Sequence, residues 1–160
     1  MAKDYVADLS LGFDGVCCLD EFYRHTKKFM ERQGYDCSEP SYREVQRGKK
    51  KTIFWDCATE KKYNDYIKNH IDVSFEVRDA EEVKAKKKNT YQCSLKVKVK
   101  GYIEKDYEER WHWNPFVFFI REVMDRFGNR NAMDRCGNEI KDESRNLIND
   151  LKAYLNVQVQ

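Results

Sequence analysis

The clearest pattern in the chain is a pair of long period-two stretches between residues 63 and 103. In the first, Tyr63, Ile67, Ile71, Val73, Phe75 and Val77 share one side, and Asn64, Lys68, His70, Asp72, Ser74, Glu76 and Arg78 share the other. In the second, Tyr91, Cys93, Leu95, Val97, Val99 and Ile103 alternate with Gln92, Ser94, Lys96, Lys98 and Lys100. Successive side chains of a strand point to opposite faces, so each stretch predicts a strand with one dry face and one wet face. A hairpin closed by Arg78 and Thr90 sets Asp72 opposite Lys96, Val73 opposite Leu95 and Phe75 opposite Cys93. Charges then match on one face and apolar groups on the other. The connector, Asp79 to Asn89, is too long for a tight turn.

Upstream, Tyr42 to Arg47 forms a further short run, and Ile53, Trp55 and Cys57 mark one face of another. Four sequential strands with short connections favour an antiparallel meander, because parallel neighbours need long crossovers. Val16, Leu19, Phe22, Tyr23, Phe29 and Met30 recur at three and four, predicting a helix over about 15–33, capped by Asp14 or Asp20 and stopped at Gly34. After Asn114-Pro115, the residues Phe116, Phe119, Ile120, Val123 and Phe127 form the stripe of a second helix, expected to be buried. Met133, Cys136, Ile140, Leu147, Leu151 and Tyr154 predict a helix over about 131–155, either continuous or broken near Asp142. Residues 1–14 read as a tail or a short strand, and residues 15–156 as a single domain. The fold class is two-layer α+β: an antiparallel β-meander of about four strands, covered by an N-terminal helix and C-terminal helices.

Composition narrows the function classes. At 160 residues, 41% hydrophobic and 14% aromatic, the chain carries more apolar material than disorder allows. Thirty basic and 28 acidic residues leave a net charge of +2, so nucleic-acid binding needs a local patch. The longest apolar run, Phe116 to Ile120, is far short of the ~20 residues that span a bilayer. The start of the chain lacks the apolar core of a secretory leader. The expectation is therefore a cytoplasmic protein with its six cysteines reduced and no membrane partner.

Glycine-rich phosphate loops, a nucleophile elbow and HExxH are all missing. The cysteines lack paired zinc-ligand spacing, and His25 and His112 have no His or Cys three or four residues away. No catalytic residue, cofactor or metal is expected. Asp106, Glu108, Glu109 and His112 form one acid–histidine cluster, but they precede a helix N-terminus, where carboxylates have an ordinary electrostatic role. Two surface patches remain. Lys86, Lys87 and Lys88 on the connector continue into Lys96, Lys98 and Lys100 and could neutralise phosphates. Phe118 lies off the main stripe of its helix and, with Trp111 and Trp113, forms a candidate partner patch. Trp55 and Phe75 belong to an aromatic endowment that could line a pocket for a small apolar ligand between sheet and helix.

Four segments carry a resemblance: GYD at Gly34–Asp36, EKKYNDYIK at Glu60–Lys68, KGYIEKDYEERW at Lys100–Trp111 and PFVFFIREVMDRF at Pro115–Phe127. Together they resemble small proteins encoded in archaeal genomes that have no assigned activity. The resemblance implies a cytoplasmic, archaeal setting and transfers no site residue. The leading expectation is a non-catalytic interaction module that binds an unknown protein or a second copy of itself. A nucleic-acid-associated protein using the lysine-rich hairpin, or a carrier of a small apolar ligand, is the alternative.

Overall fold

A computed structural model describes residues 2–38, 41–84, 90–105, 115–127 and 130–159. The elements run β1 (Ala2–Cys18), α1 (Leu19–Arg32), β2 (Asp36–Cys37), β3 (Ser41–Arg47), β4 (Lys50–Lys62), β5 (Ile67–Glu82), β6 (Thr90–Lys105), α2 (Pro115–Phe127) and α3 (Arg130–Val159). The architecture is α+β around a six-stranded antiparallel sheet, ordered β1-β6-β5-β4, with β2 and β3 both pairing with β4. The expected meander is β3 to β6. The sheet gains β2 and, on the other side, β1. Of the segment 1–14, read as a tail or short strand, residues 2–14 belong to this 17-residue strand, which pairs with β6 from Ala2↔Lys105 to Cys18↔Thr90. Consequently α1 starts at Leu19, four residues later than the periodicity suggests. Cys18 is its N-cap with no side-chain cap hydrogen bond, Asp14 sits inside β1, and Asp20 falls in the first turn. Gly34, at φ +88, ends the helix as expected.

The β5–β6 register differs from the expected one. Asp72 lies opposite Lys100, Val73 opposite Val99 and Phe75 opposite Val97. The cause is that both strands run on past the expected turn: Arg78 pairs with Ser94 rather than Thr90, and beyond it β5 carries one extra residue before Glu81, where Asp79 takes φ +53. Aspartate tolerates this left-handed conformation better than most residues, and the bulge lets pairing run on to Glu82↔Tyr91. The offset from expectation is four residues, an even number, so the dry and wet faces are unchanged. Tyr63, expected on the dry face of this strand, instead lies in the β4–β5 turn and is exposed. There Asn64 Oδ1 accepts from the backbone N–H of Tyr66 and Ile67, at 2.8 and 2.6 Å, an Asx turn.

The dry face is the core. Ile53, Ile71, Val73, Phe75, Leu95, Val97, Val99 and Ile103 are buried there with Phe22 and Met30 of α1 and Ile140, Leu147, Leu151 and Leu155 of α3. Phe22 meets Phe75 edge-on at 5.1 Å. Residues 130–159 form one unbroken helix, settling the choice between one helix and two. It seats tightly, because a Cβ on Gly101 would stand 2.3 Å from Ile140 Cγ2. The stripe of α2 is a correction. Phe116, Phe119, Ile120 and Val123, expected to be buried, are exposed, so one C-terminal helix, α3, covers the sheet rather than two.

Candidate functional site

Lys96, Lys98 and Lys100 project from the wet face of β6 and are exposed. Register fixes their neighbours: Gly12, Ser10 and Asp8 on β1, and Glu76, Ser74 and Asp72 on β5. With Phe54 and Asp56 they line a shallow cavity of about 380 Å³. Three ammonium groups there face the carboxylates of Asp56, Asp72 and Glu76, so the patch is close to neutral. Such a surface lacks the field that tracks a phosphate backbone. Lys86, Lys87 and Lys88, the other half of this candidate patch, lie outside the described residues, as does the cluster of Asp106, Glu108, Glu109 and His112.

Beside the lysines sits an acid–imidazole–phenol group. His70 Nε2 is 2.6 Å from Glu104 Oε2, and its ring stacks on Tyr102 at 4.6 Å with an interplanar angle of 4°. Lys3 Nζ lies 4.9 Å from the centroid of the same Tyr102 ring, and Tyr5 packs against that ring at 5.3 Å. Burial, reinforced by the charges of Asp72 and Glu104, pushes the Tyr102 phenol up to about 12. Burial also holds the Asp72 carboxyl above its usual range, against the pull of His70 and Lys3. The imidazole is nearly enclosed, with one nitrogen on Glu104 and one face under a ring. The His70–Glu104 contact thus links β5 to β6.

Two further polar clusters tie α3 to the rest. Tyr35 Oη donates to Glu143 Oε2 at 2.5 Å, and Lys61 Nζ donates to Glu139 Oε1 at 2.8 Å and Glu143 Oε1 at 3.4 Å. Burial raises the Glu143 carboxyl, outweighing the Tyr35 hydrogen bond and the Lys61 charge that lower it. His25 Nε2 lies 2.5 Å from Asp150 Oδ2, under the stacked ring of Tyr154 at 4.5 Å. Burial, then the neighbouring Cys93 and Cys18, pushes the Cys17 thiol up to about 12, the reverse of an activated thiolate. Among the described residues no group of three or more His, Cys, Asp or Glu could hold a metal ion. None of these pairs was visible in the sequence. His70–Glu104 needed the true register, and His25–Asp150 spans 125 residues with no local signature.

The partner patch is placed only in part. Trp111 and Trp113 lie outside the described residues, and Phe118 lies within α2 with its side chain undescribed. What the structure does show on that helix is a row of apolar side chains facing solvent: Phe116 is 68% exposed, Phe119 62%, Ile120 36% and Val123 41%. Their spacing, i, i+3, i+4 and i+7, puts all four on one face. No helix among the described residues is long and apolar enough to cross a membrane. Comparison of the chain with family models, curated proteins and solved structures finds no match in any of the three.

Proposed function

We propose that this chain is a non-catalytic interaction module that docks onto a protein partner by laying α2 into an apolar groove. The observation that carries the reading is the exposed row of Phe116, Phe119, Ile120 and Val123, the anchor spacing that helix-in-groove recognition uses. At these exposures the row presents on the order of 400 Å² of apolar surface, enough to mark a partner site. Two copies packed back to back through α2 alone would bury about 800 Å², short of the roughly 1,000 Å² a stable interface needs. A groove that wraps the helix covers more of it per partner, so a heterologous protein fits better than a second copy. The setting that goes with this reading is the cytoplasm of an archaeal cell, as the sequence resemblance implies. The near-neutral lysine face supports nucleic acid less well, and Ile140 pressed onto Gly101 leaves no room at that point for a ligand between sheet and helix.

The test is native mass spectrometry of protein purified from its own host, as wild type and as the double variant Phe116→Glu/Phe119→Glu, both checked for an unchanged melting temperature. The expected result is a stoichiometric protein partner present with wild type and missing with the variant. The same complexes from both proteins, or a concentration-dependent dimer of wild type alone, would overturn it.

A further inference from the structure

A second recess, unrelated to α2, lies at the edge of the sheet between the start of α1 and the β3–β4 hairpin. It has a volume of about 330 Å³, within the range of small-ligand sites, and its walls include Asp20, Tyr42, Glu44, Lys51, Trp55 and Tyr91. The strand register builds it: Tyr42 pairs with Trp55 and Glu44 with Ile53, so alternation sends these side chains to the same face of the β3–β4 ribbon. The rings of Tyr42 and Trp55 stand at 87° to each other with centroids 5.7 Å apart, making two perpendicular walls. Tyr23 of α1 stacks on Trp55 at 4.1 Å and 14°, which fixes the indole in place. Tyr91 of β6 forms a third aromatic side.

The recess already shows which charge it prefers. Lys51 Nζ lies 5.6 Å from the centroid of the Tyr91 ring and 3.2 Å from Glu44 Oε1. Tyr42 Oη donates to Glu44 at 2.8 Å, orienting that carboxylate. An ammonium group belonging to the protein itself thus sits between the face of the Tyr91 ring and the Glu44 carboxylate. Aromatic faces carry negative quadrupole density, and cages of such rings are how proteins hold quaternary ammonium groups. The remaining volume is open beside that ammonium, and the formal charges on the walls are two carboxylates to one ammonium.

The geometry points to a binding site for a small organic cation, a trimethylammonium-type group, in the corner formed by Tyr42, Trp55 and Tyr91, with Glu44 as its counter-ion and Lys51 as an internal competitor. A trimethylammonium head suits this corner better than a primary amine, because it gains contact with several ring faces and gives up fewer hydrogen bonds to water. Lys51 yields readily, since the Lys51–Glu44 pair is partly exposed and such pairs contribute little. Anions are disfavoured by the same carboxylates.

Calorimetric titration of the full chain with choline chloride, and with its neutral isostere 3,3-dimethylbutan-1-ol, tests the assignment. Choline should bind saturably and the isostere at least about tenfold more weakly. Tyr91→Leu and Glu44→Gln should each weaken choline by roughly tenfold, whereas Lys51→Met should tighten it several-fold by removing the competitor. A peptide bearing trimethyllysine, run in parallel, tells whether the group arrives free or on a protein side chain: a tighter peptide assigns the latter, a tighter choline the former. Equal affinity for choline and the isostere, or no saturation by either cation with folded Lys51→Met, overturns the proposal. So does weaker choline binding to Lys51→Met than to wild type.

Discussion

Gly101 is the point where α3 is set onto the sheet, and replacing it tests that seating directly. A Cβ added there would come within 2.3 Å of Ile140 Cγ2, whereas unstrained carbon contacts lie at about 3.5–4.0 Å. Relief needs a shift of more than about 1 Å in an interior packed as densely as an organic crystal. Both partners are held, Gly101 between β1 and β5 and Ile140 fully buried on α3. Overpacking of this kind costs about 1–3 kcal/mol. Alanine in a strand recovers roughly 0.5–1 kcal/mol over glycine through backbone entropy. The net expectation for Gly101→Ala is therefore a loss of about 1–2 kcal/mol, read as a lower urea midpoint at unchanged slope. The offending atom makes the result sharper. Ile140→Val keeps Cγ2, while Ile140→Leu removes the β-branch that carries it. In double-mutant cycles, Leu should recover about 1 kcal/mol or more of the Gly101→Ala loss, and Val should couple near zero. Neutral or stabilising behaviour of Gly101→Ala, or equal rescue by Val and Leu, would refute the seating.

Alkaline stability offers a second check. Cys17, Cys93 and Cys136 are buried, and burial is the main cause holding their thiols at about 12, 11 and 11, above the ordinary value of 9.0. Because the folded pKa is raised, the unfolded chain loses protons first. Stability is complete below pH 9 and falls as pH climbs toward 11, at about 1.4 kcal/mol per pH unit for each thiol. Urea midpoints across that window should drop steeply, and Cys136→Ala should shallow the slope; a flat profile contradicts the buried-thiol picture. Tyr35→Phe removes the donor to the buried Glu143 carboxylate and should cost about 1.5–3 kcal/mol, with Glu143→Gln recovering part of it. Additive losses in that pair would sever the link. Phe116→Glu and Phe119→Glu should change the stability of the isolated chain by no more than about 0.5 kcal/mol, as befits exposed positions. A drop of several kcal/mol would place these rings in the core after all.

The two faces of β5 and β6 were legible in the sequence because alternation depends only on parity. The register was not, because pairing runs past Arg78 to Glu82↔Tyr91 through a bulge at Asp79, and the hydrophobic pattern does not mark where the turn falls. The four-residue offset kept every face, yet it moved Asp72 from Lys96 to Lys100 and brought His70 beside Tyr102. β1 was under-read for a different reason. Its apolar positions Leu9, Leu11 and Phe13 are few, and its pairing with β6 bridges most of the chain, which local signals do not encode. Gly137 lies inside α3, where glycine costs about 1 kcal/mol relative to alanine, but a Cβ there would meet Val6 and Ile103 at ordinary contact distances of 3.7 and 3.9 Å. The helix runs through it because the packing holds it, not because the propensity does. The exposure of the α2 stripe, expected to be buried, teaches most. A stripe at helical spacing states which side is apolar and nothing about whether the chain supplies a cover.

That distinction bears on how tightly α2 can hold anything. Full cover of about 400 Å² of apolar surface is worth on the order of 10 kcal/mol. Association itself takes back some 4–15 kcal/mol in lost motion. A helix of 13 residues is also near the length at which isolated helices are only marginal in water, so part of the gain goes into ordering it. What is left corresponds to a reversible contact rather than a permanent one. The core shared by the sheet, α1 and α3 draws on none of the four exposed residues of α2, so such a contact can form and part without unsettling the fold.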